Sequence, residues 1–253
     1  MRSKRLDSVK KYIEENKTVT LDQLCAEFQV SKNTIRRDIN ELVSSGEIRK
    51  IYGGVTIEGF KPMSSFDERN ISNLELKQRI ARYAAKLVKD GEIIFIDSGT
   101  TTMHMVEHLK ERQNLTILTN SIEVIMRAIP YPNINVISLS GTLNRKTLSF
   151  TGASSAEVLG RFNINKAFLA STGISTAGGA TNSSPAETEI KHTALLKSQQ
   201  SFLLLDHTKF NTIALITYSR FDDIHTLVTD DFPPSDIQKM LEKKGCRILI
   251  AEE

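Results

Sequence analysis

A short polar segment rich in hydroxyl groups directly follows the apolar run at positions 93–96. The segment consists of Asp97, Ser98, Gly99, Thr100, Thr101 and Thr102, and a helical pattern begins at its end. Thr hydroxyls and the free amides of a helix start can bind an anion, which the helix dipole also favours. A glycine here would let the backbone approach a ligand closely. We therefore predict a phosphate-binding loop, with a tight strand–helix turn and a Thr cap as the alternative.

This segment lacks the Gly-Lys-Ser or Gly-Lys-Thr end of a P-loop, so it does not predict nucleotide hydrolysis. Other candidate ligand-binding residues lie close to later apolar runs, where the strands of an α/β sheet would end. These residues are Thr119, Asn120, Ser140, Gly141, Gly152, Glu187, Lys191, Asp206 and Lys209. Asp206 and Lys209 are suited to holding sugar hydroxyls or a carboxylate. Glu187 and Lys191 lie one helical turn apart, and by themselves they favour an ordinary surface ion pair.

A second set of candidate residues, at positions 31–45, is basic. Ser31 is placed to cap a helix in which Ile35, Ile39 and Leu42 recur at the spacing of a packed face. The opposite face carries side chains that can contact the phosphates and base edges of DNA. These side chains are Lys32, Asn33, Thr34, Arg36 and Arg37. Taken alone, the segment could also be an amphipathic surface helix.

The segments around this helix favour DNA binding. Thr20 and Gln23 form the T-x-x-Q pattern of a capping box, which marks the start of a helix. A short connection at residues 29–30 joins this helix to the basic helix. Two helices with so short a connection are typical of a helix-turn-helix. Extended runs on either side of Gly53-Gly54 predict the β-hairpin of a winged variant. Further candidates for DNA contact in this hairpin are Arg49, Lys50 and Tyr52.

Beyond residue 74, apolar runs alternate with helical patterns. The apolar runs lie at 93–96, 115–118, 136–139, 167–170, 202–205, 226–228 and 247–250, and helical patterns at 102–111, 121–129, 153–159, 187–197 and 234–243. Continuous Ile-, Val- and Leu-rich runs are typical of strands buried on both faces, and their alternation with helices predicts a doubly wound α/β fold. We therefore predict a winged helix-turn-helix domain at 1–57, a linker at 58–73 and an α/β domain at 74–253.

The distribution of charge agrees with this division. Residues 1–57 carry 11 basic and 8 acidic side chains, whereas the rest of the 253-residue chain carries 22 of each. The net charge of +3 therefore lies in the predicted DNA-binding domain. No apolar run approaches the ~20 residues that cross a bilayer, and no signal-peptide pattern is present. With Cys25 and Cys246 predicted to be buried, reduced thiols, we expect a cytoplasmic protein.

The N-terminal pattern resembles that of a known family. Arg5, Val9 and Ile13, followed by Ser31-x-x-Thr34-Ile35-Arg36-Arg37-Asp38-Ile39, resemble the signature of DeoR-type bacterial transcription regulators. The resemblance extends to Thr229, and Phe66 with Arg69 resembles a junction element of the family. It implies an α/β domain similar to ribose-phosphate isomerases, with a phosphorylated sugar as effector. The residues that fall on the recurring effector-binding positions of the family are 97–101, Thr119, Asn120, Gly152, Glu187, Lys191, Asp206 and Lys209.

The resemblance also implies how the protein acts. It implies a repressor of a sugar or polyol catabolic operon, released from its operator by a phosphorylated sugar. Within the family, the stretches at 30–34, 52–56, 163–168 and 205–210 are most similar to repressors of myo-inositol catabolism. The implied partners are operator DNA, the effector and further copies of the chain in a dimer or tetramer, because symmetric operators pair recognition helices. Many members have Gly-Gly where this chain has Ser140-Gly141, which alters the expected ligand contacts.

Two other functions would use residues of the same sets. In an isomerase-like enzyme, Glu187, Asp206 and Lys209 would act as acid and base on a sugar phosphate. The DNA-binding pattern argues against this, as does the absence of an acidic cluster at 171–175. In a metal sensor, His104 and His108 would share an ion, but no third ligand lies near them in sequence, so surface histidines are the better interpretation. The sequence thus predicts a regulator with no cofactor and no metal.

Overall fold

The chain forms two compact units, residues 1–62 and residues 63–253. The computed structural model describes residues 2–16, 18–44, 48–51, 54–56 and 66–252. Tyr52, a predicted contact to DNA, lies outside the described residues, and so do the side chains of Arg49 and Lys50. Each unit has its own hydrophobic core.

The first unit is a winged helix-turn-helix. Its elements are α1 (Arg2–Asn16), β1 (Thr18–Thr20), α2 (Leu21–Phe28), α3 (Lys32–Ser44), β2 (Arg49–Ile51) and β3 (Gly54–Thr56). The strands form an antiparallel sheet in the order β1-β3-β2. Val9, Leu24, Ile35 and Ile39 belong to one core that the three helices share. This arrangement confirms the predicted fold of the N-terminal domain.

Local hydrogen bonds in this unit follow the predicted patterns. The Oγ1 of Thr20 accepts from the backbone amide of Gln23 at 3.1 Å, and the Gln23 side chain accepts from the Thr20 amide at 2.7 Å. This reciprocal pair is the predicted capping box. Gln29 adopts φ 50° and ψ 43°, in the left-handed region that ends α2. A residue other than glycine can thus make this turn, at the steric cost expected for that region.

The second unit is a doubly wound α/β structure. Its helices are α4 (Phe66–Ile71), α5 (Leu74–Ala85), α6 (Ile122–Ala128), α7 (Ala153–Leu159), α8 (Pro185–Lys197) and α9 (Ser235–Lys243), with short 3₁₀ helices at Thr102–His108 and His207–Lys209. Its strands are β4 (Ile93–Ile96), β5 (Leu115–Thr119), β6 (Ile134–Ser138), β7 (Thr142–Asn144), β8 (Ser149–Thr151), β9 (Ile164–Ala170), β10 (Gly173–Ser175), β11 (Gly179–Asn182), β12 (Ser198–Leu204), β13 (Ile216–Ser219), β14 (Thr226–Thr229) and β15 (Arg247–Ile250).

Seven of these strands form one parallel sheet in the order β15-β14-β12-β9-β4-β5-β6. The chain runs outward from β4 through β5 to β6, and then returns to β9 on the other side of β4. The strand order therefore reverses between β4 and β9. In open α/β sheets, ligands bind outside the carboxyl ends of the strands at such a reversal.

Helices cover both faces of this sheet. Ile94 and Ile96 of β4 belong to one core cluster, with Ile80 of α5 and Val124 of α6. Phe95 belongs to the other cluster, with residues of α7, α8 and α9. β4, at the centre of the sheet, is thus buried on both sides, which is the physical reason that all four of its residues are apolar. The predicted fold class is confirmed.

The structure differs from the sequence prediction at three places in the second unit. Residues 66–71, inside the predicted linker 58–73, form α4, whose first residue Phe66 is buried and donates its amide to the Lys146 carbonyl at 3.0 Å. Residues 102–108 form a 3₁₀ helix instead of an α-helix. Two small sheets, β7-β8 and β10-β11-β13, were not predicted, since three- and four-residue strands carry too little periodic signal.

Candidate functional site

The exposed face of α3 carries the candidate DNA-binding side chains. Ile35, Ile39 and Leu42 are buried, whereas Lys32, Asn33, Arg36 and Arg37 are exposed and Thr34 is half-buried. Among the described residues, Arg36 and Arg37 have no hydrogen-bond or ion-pair partner. Their guanidinium groups are therefore available for the phosphates and base edges of DNA.

Other polar residues of α3 are engaged within the unit. Ser31 caps the helix, because its Oγ accepts from the Thr34 amide at 3.3 Å and lies 3.0 Å from the Thr34 hydroxyl. This confirms the predicted N-cap. The Lys32 Nζ lies 2.6 Å from Oδ1 of Asp22 on α2, in a pair whose members are both exposed. DNA would therefore compete with Asp22 for Lys32.

A partly buried ion pair that the sequence patterns did not predict holds α3 against α1. The Nε of Arg5 on α1 donates to Oδ2 of Asp38 at 2.7 Å, and its Nη2 donates to Oδ1 at 3.2 Å. Asp38 is only 1% exposed. A bidentate pair of this kind fixes direction as well as distance, so it orients α3 against α1. Both residues occur in the family-like pattern, but the 33-residue separation gave no local sign of contact.

In the second unit, Asp97 lies at the carboxyl end of β4 and forms a buried ion pair with Lys191 of α8. Its Oδ2 also accepts from the Ala170 amide at 2.8 Å, and its Oδ1 accepts from the Gly99 amide at 3.0 Å. The Lys191 ammonium donates to the Ala170 carbonyl at 2.9 Å. These contacts join β4, β9 and α8 at the reversal of strand order.

Glu187 is not the surface partner of Lys191 that the sequence alone favours. Both side chains are buried, and Lys191 is paired with Asp97. Oε1 of Glu187 accepts from Ser98 at 2.9 Å and from Ser149 at 2.8 Å, while Oε2 accepts from Asn182 at 3.3 Å. The surface-pair interpretation was wrong because the face of α8 with the i, i+4 spacing packs on the sheet and does not meet solvent.

The loop after β4 is held largely by its own hydrogen bonds. The Thr102 hydroxyl donates to Oδ1 of Asp97 at 2.5 Å, and the Ser98 hydroxyl is bound to Glu187. Gly99 packs against the end of β9, where a Cβ would lie 2.4 Å from the Ala170 Cβ, so this glycine allows close approach to the sheet. Thr100 and Thr101 are buried, and their hydroxyls have no hydrogen-bond partner among the described residues.

Among the described residues, a buried polar atom that lacks a hydrogen-bond partner lies just after β5. Thr119 is engaged, since its hydroxyl donates to the Ile96 carbonyl at 2.7 Å. Asn120 is buried and donates to the Phe150 carbonyl at 3.3 Å, but within the described part of the chain its Oδ1 has no partner. Such a buried acceptor is costly unless something donates to it. It is a natural contact for a ligand hydroxyl.

Asp206, at the end of β12, is fully buried and presents a second acceptor of this kind. Its Oδ1 accepts from the Thr208 amide at 3.1 Å and from Nδ2 of Asn73 at 3.2 Å, whereas its Oδ2 has no partner among the described residues. Burial would raise the pKa of Asp206, but the hydrogen bond from Thr208 and the charge of Lys209 outweigh it and hold the pKa below its ordinary value. Asp206 is therefore an anionic acceptor, suited to sugar hydroxyls.

Ser140 and Gly141 lie where β6 leads into the β7-β8 hairpin, and Gly152 directly follows that hairpin. The Ser140 side chain is exposed, and its carbonyl accepts from the Ser155 hydroxyl. Gly141 has φ 144°, and a Cβ there would lie 2.5 Å from the Thr151 carbonyl oxygen. Only glycine fits this crossing of two backbones. Gly152 also has φ 144° and precedes α7.

Two cations from α4 and α5 join this cluster and were not among the predicted site residues. Arg69 is mostly buried and lies within electrostatic reach of Glu187 and Asp97, and burial lowers its pKa. Lys77 is buried and donates its ammonium to the Arg69 carbonyl. Burial and the charge of nearby Lys209 lower the pKa of Lys77 to about 8. The family-like Phe66 and Arg69 pattern was the one signal in sequence for this contribution.

The histidine prediction was partly wrong. His104 is buried in the 3₁₀ helix, and burial lowers its pKa to about 4, so it is a neutral side chain and not a surface group. No group of three or more potential metal ligands occurs among the described residues. Cys246 is buried with its pKa raised by burial to about 11, while Cys25 is only half-buried. No helix in the described ranges is long and apolar enough to span a membrane.

A winged helix-turn-helix with an exposed basic face, in one chain with a doubly wound α/β unit, defines a DNA-binding transcription regulator. Residues 5–59 match the family described as the DeoR-like helix-turn-helix domain, and residues 72–231 match the DeoR C terminal sensor domain. The chain belongs to the DeoR family.

Curated relatives agree with this assignment. The chain is 43% identical over 229 residues to the HTH-type transcriptional regulator IolR of Bacillus subtilis, a match that covers 90% of this chain and 91% of the relative. It is 29% identical to GolR of Listeria innocua, covering 95% of each chain, and 26% identical to the glycerol-3-phosphate regulon repressor of Escherichia coli, covering 94% and 95%. These regulator relatives confirm that the protein is not an enzyme.

Among solved structures, ribose 5-phosphate isomerase A of Methanocaldococcus jannaschii is similar to 55% of the chain, over 55% of its own length. The TM-score is 0.41 and the sequence identity 20%. This likeness concerns the fold alone.

Proposed function

We propose that the protein is a repressor of a sugar or polyol catabolic operon that leaves its operator when a phosphorylated sugar binds to the α/β unit. The observation that carries the proposal is the cluster at the reversal between β4 and β9. There, buried polar atoms that have no hydrogen-bond partner among the described residues lie near the cationic side chains of Arg69 and Lys77. A ligand with hydroxyl groups and an anionic group would satisfy both features.

The candidate effector-binding residues have different roles in this proposal. Thr100 and Thr101 offer free hydroxyls to the phosphate, and Asn120, Asp206 and Lys209 contact the sugar. The remaining candidates, Asp97, Ser98, Gly99, Thr102, Thr119, Ser140, Gly141, Gly152, Glu187 and Lys191, hold the loops in place. The cluster thus combines a rigid base with a small set of groups that are available to a ligand.

Release of DNA requires that the effector bind more tightly to the conformation that does not bind the operator. An effector with equal affinity for both conformations would leave their populations unchanged. The operator would be contacted by Lys32, Asn33, Arg36 and Arg37, with the hairpin residues Arg49, Lys50 and Tyr52 on the backbone. A homodimer or tetramer would present paired recognition helices to a symmetric site. Such a regulator would act in the cytoplasm, where the operator is.

We expect Thr101→Leu to abolish the response to effector and leave operator binding unchanged. Thr101 is buried in the loop after β4, so a larger apolar side chain would fill the space next to the phosphate and remove a hydroxyl donor. The measurement is a gel-shift titration of operator complex with effector. Thr193→Leu, on a half-buried position of α8, is the matched control and should respond like the wild type. If Thr101→Leu releases DNA at the wild-type effector concentration, the loop is not the phosphate site.

The effector that we propose is an intermediate of myo-inositol catabolism, a phosphorylated keto-deoxy sugar acid. Two observations support this choice: the resemblance of 30–34, 52–56, 163–168 and 205–210 to myo-inositol repressors, and the 43% identity to IolR. A ligand with a phosphate and an acidic end also suits a site with several cations.

A panel of ligands tests this choice. Thermal shift and operator release are measured with the inositol-pathway intermediate and with tagatose, fructose and galactitol phosphates. We expect stabilisation and release with the inositol intermediate. Stabilisation and release by another sugar phosphate alone would contradict the choice of effector and leave the regulator assignment intact.

A further inference from the structure

We propose that Arg69 of α4 is the residue that binds the phosphate of the effector, with Lys77 of α5 as a positioning residue that holds it there. The inference rests on the proposed function, because it assigns one group of the same site. In this assignment, the main contact to the phosphate charge comes from the first helix of the α/β unit and not from the Thr-rich loop.

The loop after β4 cannot neutralise a phosphate by itself. Its hydroxyls are uncharged, His104 behind it is neutral at physiological pH, and Asp97 within it is an anion. Glu187 adds a second buried carboxylate next to Ser98. A phosphate placed beside two carboxylates needs a cation close by, since like charges at short range repel strongly in a buried site.

Lys191 is not available for this purpose. Its ammonium is bound between Oδ2 of Asp97 and the Ala170 carbonyl, both of which are buried. A ligand that recruited Lys191 would leave Asp97 without its counter-ion, which is costly in a buried site. The cation for the phosphate must therefore come from another element.

Arg69 meets this need. Its charge lies within electrostatic reach of both Glu187 and Asp97, the two carboxylates beside and within the loop after β4. Its Nε and Nη2 atoms are buried and have no hydrogen-bond partner in the described part of the chain. Two unsatisfied donors on one guanidinium match two oxygens of a phosphate in the bidentate manner that arginine favours. A phosphate would accept hydrogen bonds from these donors, whose burial without an acceptor is otherwise unfavourable in free energy.

The structure also holds Arg69 in position before any ligand binds. The guanidinium carbon lies 5.8 Å from the centre of the Phe66 ring, and the Lys77 ammonium donates to the Arg69 carbonyl. Between α4 and α5, Nδ2 of Asn73 donates to Oδ1 of Asp206 at 3.2 Å. The α4–α5 segment is therefore connected to the loop after β12, whose Asp206 offers an acceptor to the same ligand.

The test measures phosphate affinity of the full chain by thermal shift, with sodium phosphate titrated against sodium chloride at matched ionic strength. The variants are Arg69→Gln and Arg69→Lys, and the matched control is Arg82→Gln, which removes an exposed cation from α5. We expect Arg69→Gln to bind phosphate about 10–100-fold more weakly, as for the loss of a charged hydrogen bond. Arg69→Lys should recover part of the affinity, and Arg82→Gln should match the wild type.

Operator binding without ligand confirms that each variant is folded. Wild-type phosphate affinity in Arg69→Gln would overturn the inference, and so would a wild-type protein that does not respond to phosphate. A different result would contradict the proposed function. In that case, no sugar phosphate would release the wild-type protein from its operator, whatever the phosphate affinity of Arg69→Gln.

Discussion

Replacing Asp97 with Asn is expected to lower the free energy of unfolding of the α/β unit by about 3–5 kcal/mol, the range for breaking a buried ion pair. Asp97 accepts hydrogen bonds from Lys191, Ala170, Gly99 and Thr102. An amide in place of the carboxylate would leave the Lys191 ammonium without its buried counter-ion, next to uncharged acceptors such as the Ala170 carbonyl. The measurement is urea unfolding followed by far-UV circular dichroism at fixed protein concentration.

An exposed ion pair provides the matched control. Nη2 of Arg161 lies 2.6 Å from Oε1 of Glu157, and both side chains are mostly exposed, so Arg161→Gln should cost less than about 1 kcal/mol. The double variant Asp97→Asn with Lys191→Met should recover part of the loss, because it removes the uncompensated charge. If Asp97→Asn costs no more than Arg161→Gln, the buried pair does not stabilise the unit.

If Arg37 contacts a base, we expect Arg37→Ala to weaken operator binding by about 1–3 kcal/mol. If Arg37 contacts a phosphate, the slope of log affinity against log salt concentration should decrease in magnitude by about one. Arg37 is exposed on α3 and has no partner among the described residues, so its loss should not disturb the folded unit. Gel-shift titrations over a range of salt concentrations separate the two outcomes. Arg36→Ala, measured in the same way, shows how the neighbouring cation contributes.

Lys11→Ala is the control for this experiment. Lys11 is a 77% exposed cation on α1 and not on α3, so it changes the net charge by the same amount without touching the recognition helix. We expect its operator affinity to stay close to that of the wild type. An unchanged affinity and salt slope in Arg37→Ala would exclude Arg37 from the DNA interface.

Much of the fold was predictable from short-range patterns. The strands at 93–96 and 247–250 and the helix at 153–159 have the predicted bounds. The caps formed by Thr20 and Ser31 also follow from residues three positions away. Apolar periodicity and capping depend on neighbours within about one helical turn, and these are visible in the sequence.

Shorter elements were not predicted, because they depend on contacts with residues that are distant in sequence. α4 is six residues long, and β7, β8 and β10 have three residues each. Their backbone hydrogen bonds depend on partners elsewhere in the chain. Phe66, for example, begins α4 with an amide bound to the Lys146 carbonyl. A pattern of three to six residues does not carry that information.

The sequence by itself determined which residues are placed at strand ends and on the basic face of α3. Only the tertiary structure decided how these residues are used. Lys191 binds Asp97, 94 positions away, and not Glu187 one turn away, because β4 and β9 are adjacent in the sheet and α8 packs against β9. Within the described ranges, burial then separates engaged groups, such as the Thr102 hydroxyl, from atoms without a hydrogen-bond partner, such as Nε of Arg69 and Oδ2 of Asp206. Both effects depend on strand order and solvent exclusion, which arise only when distant segments pack together.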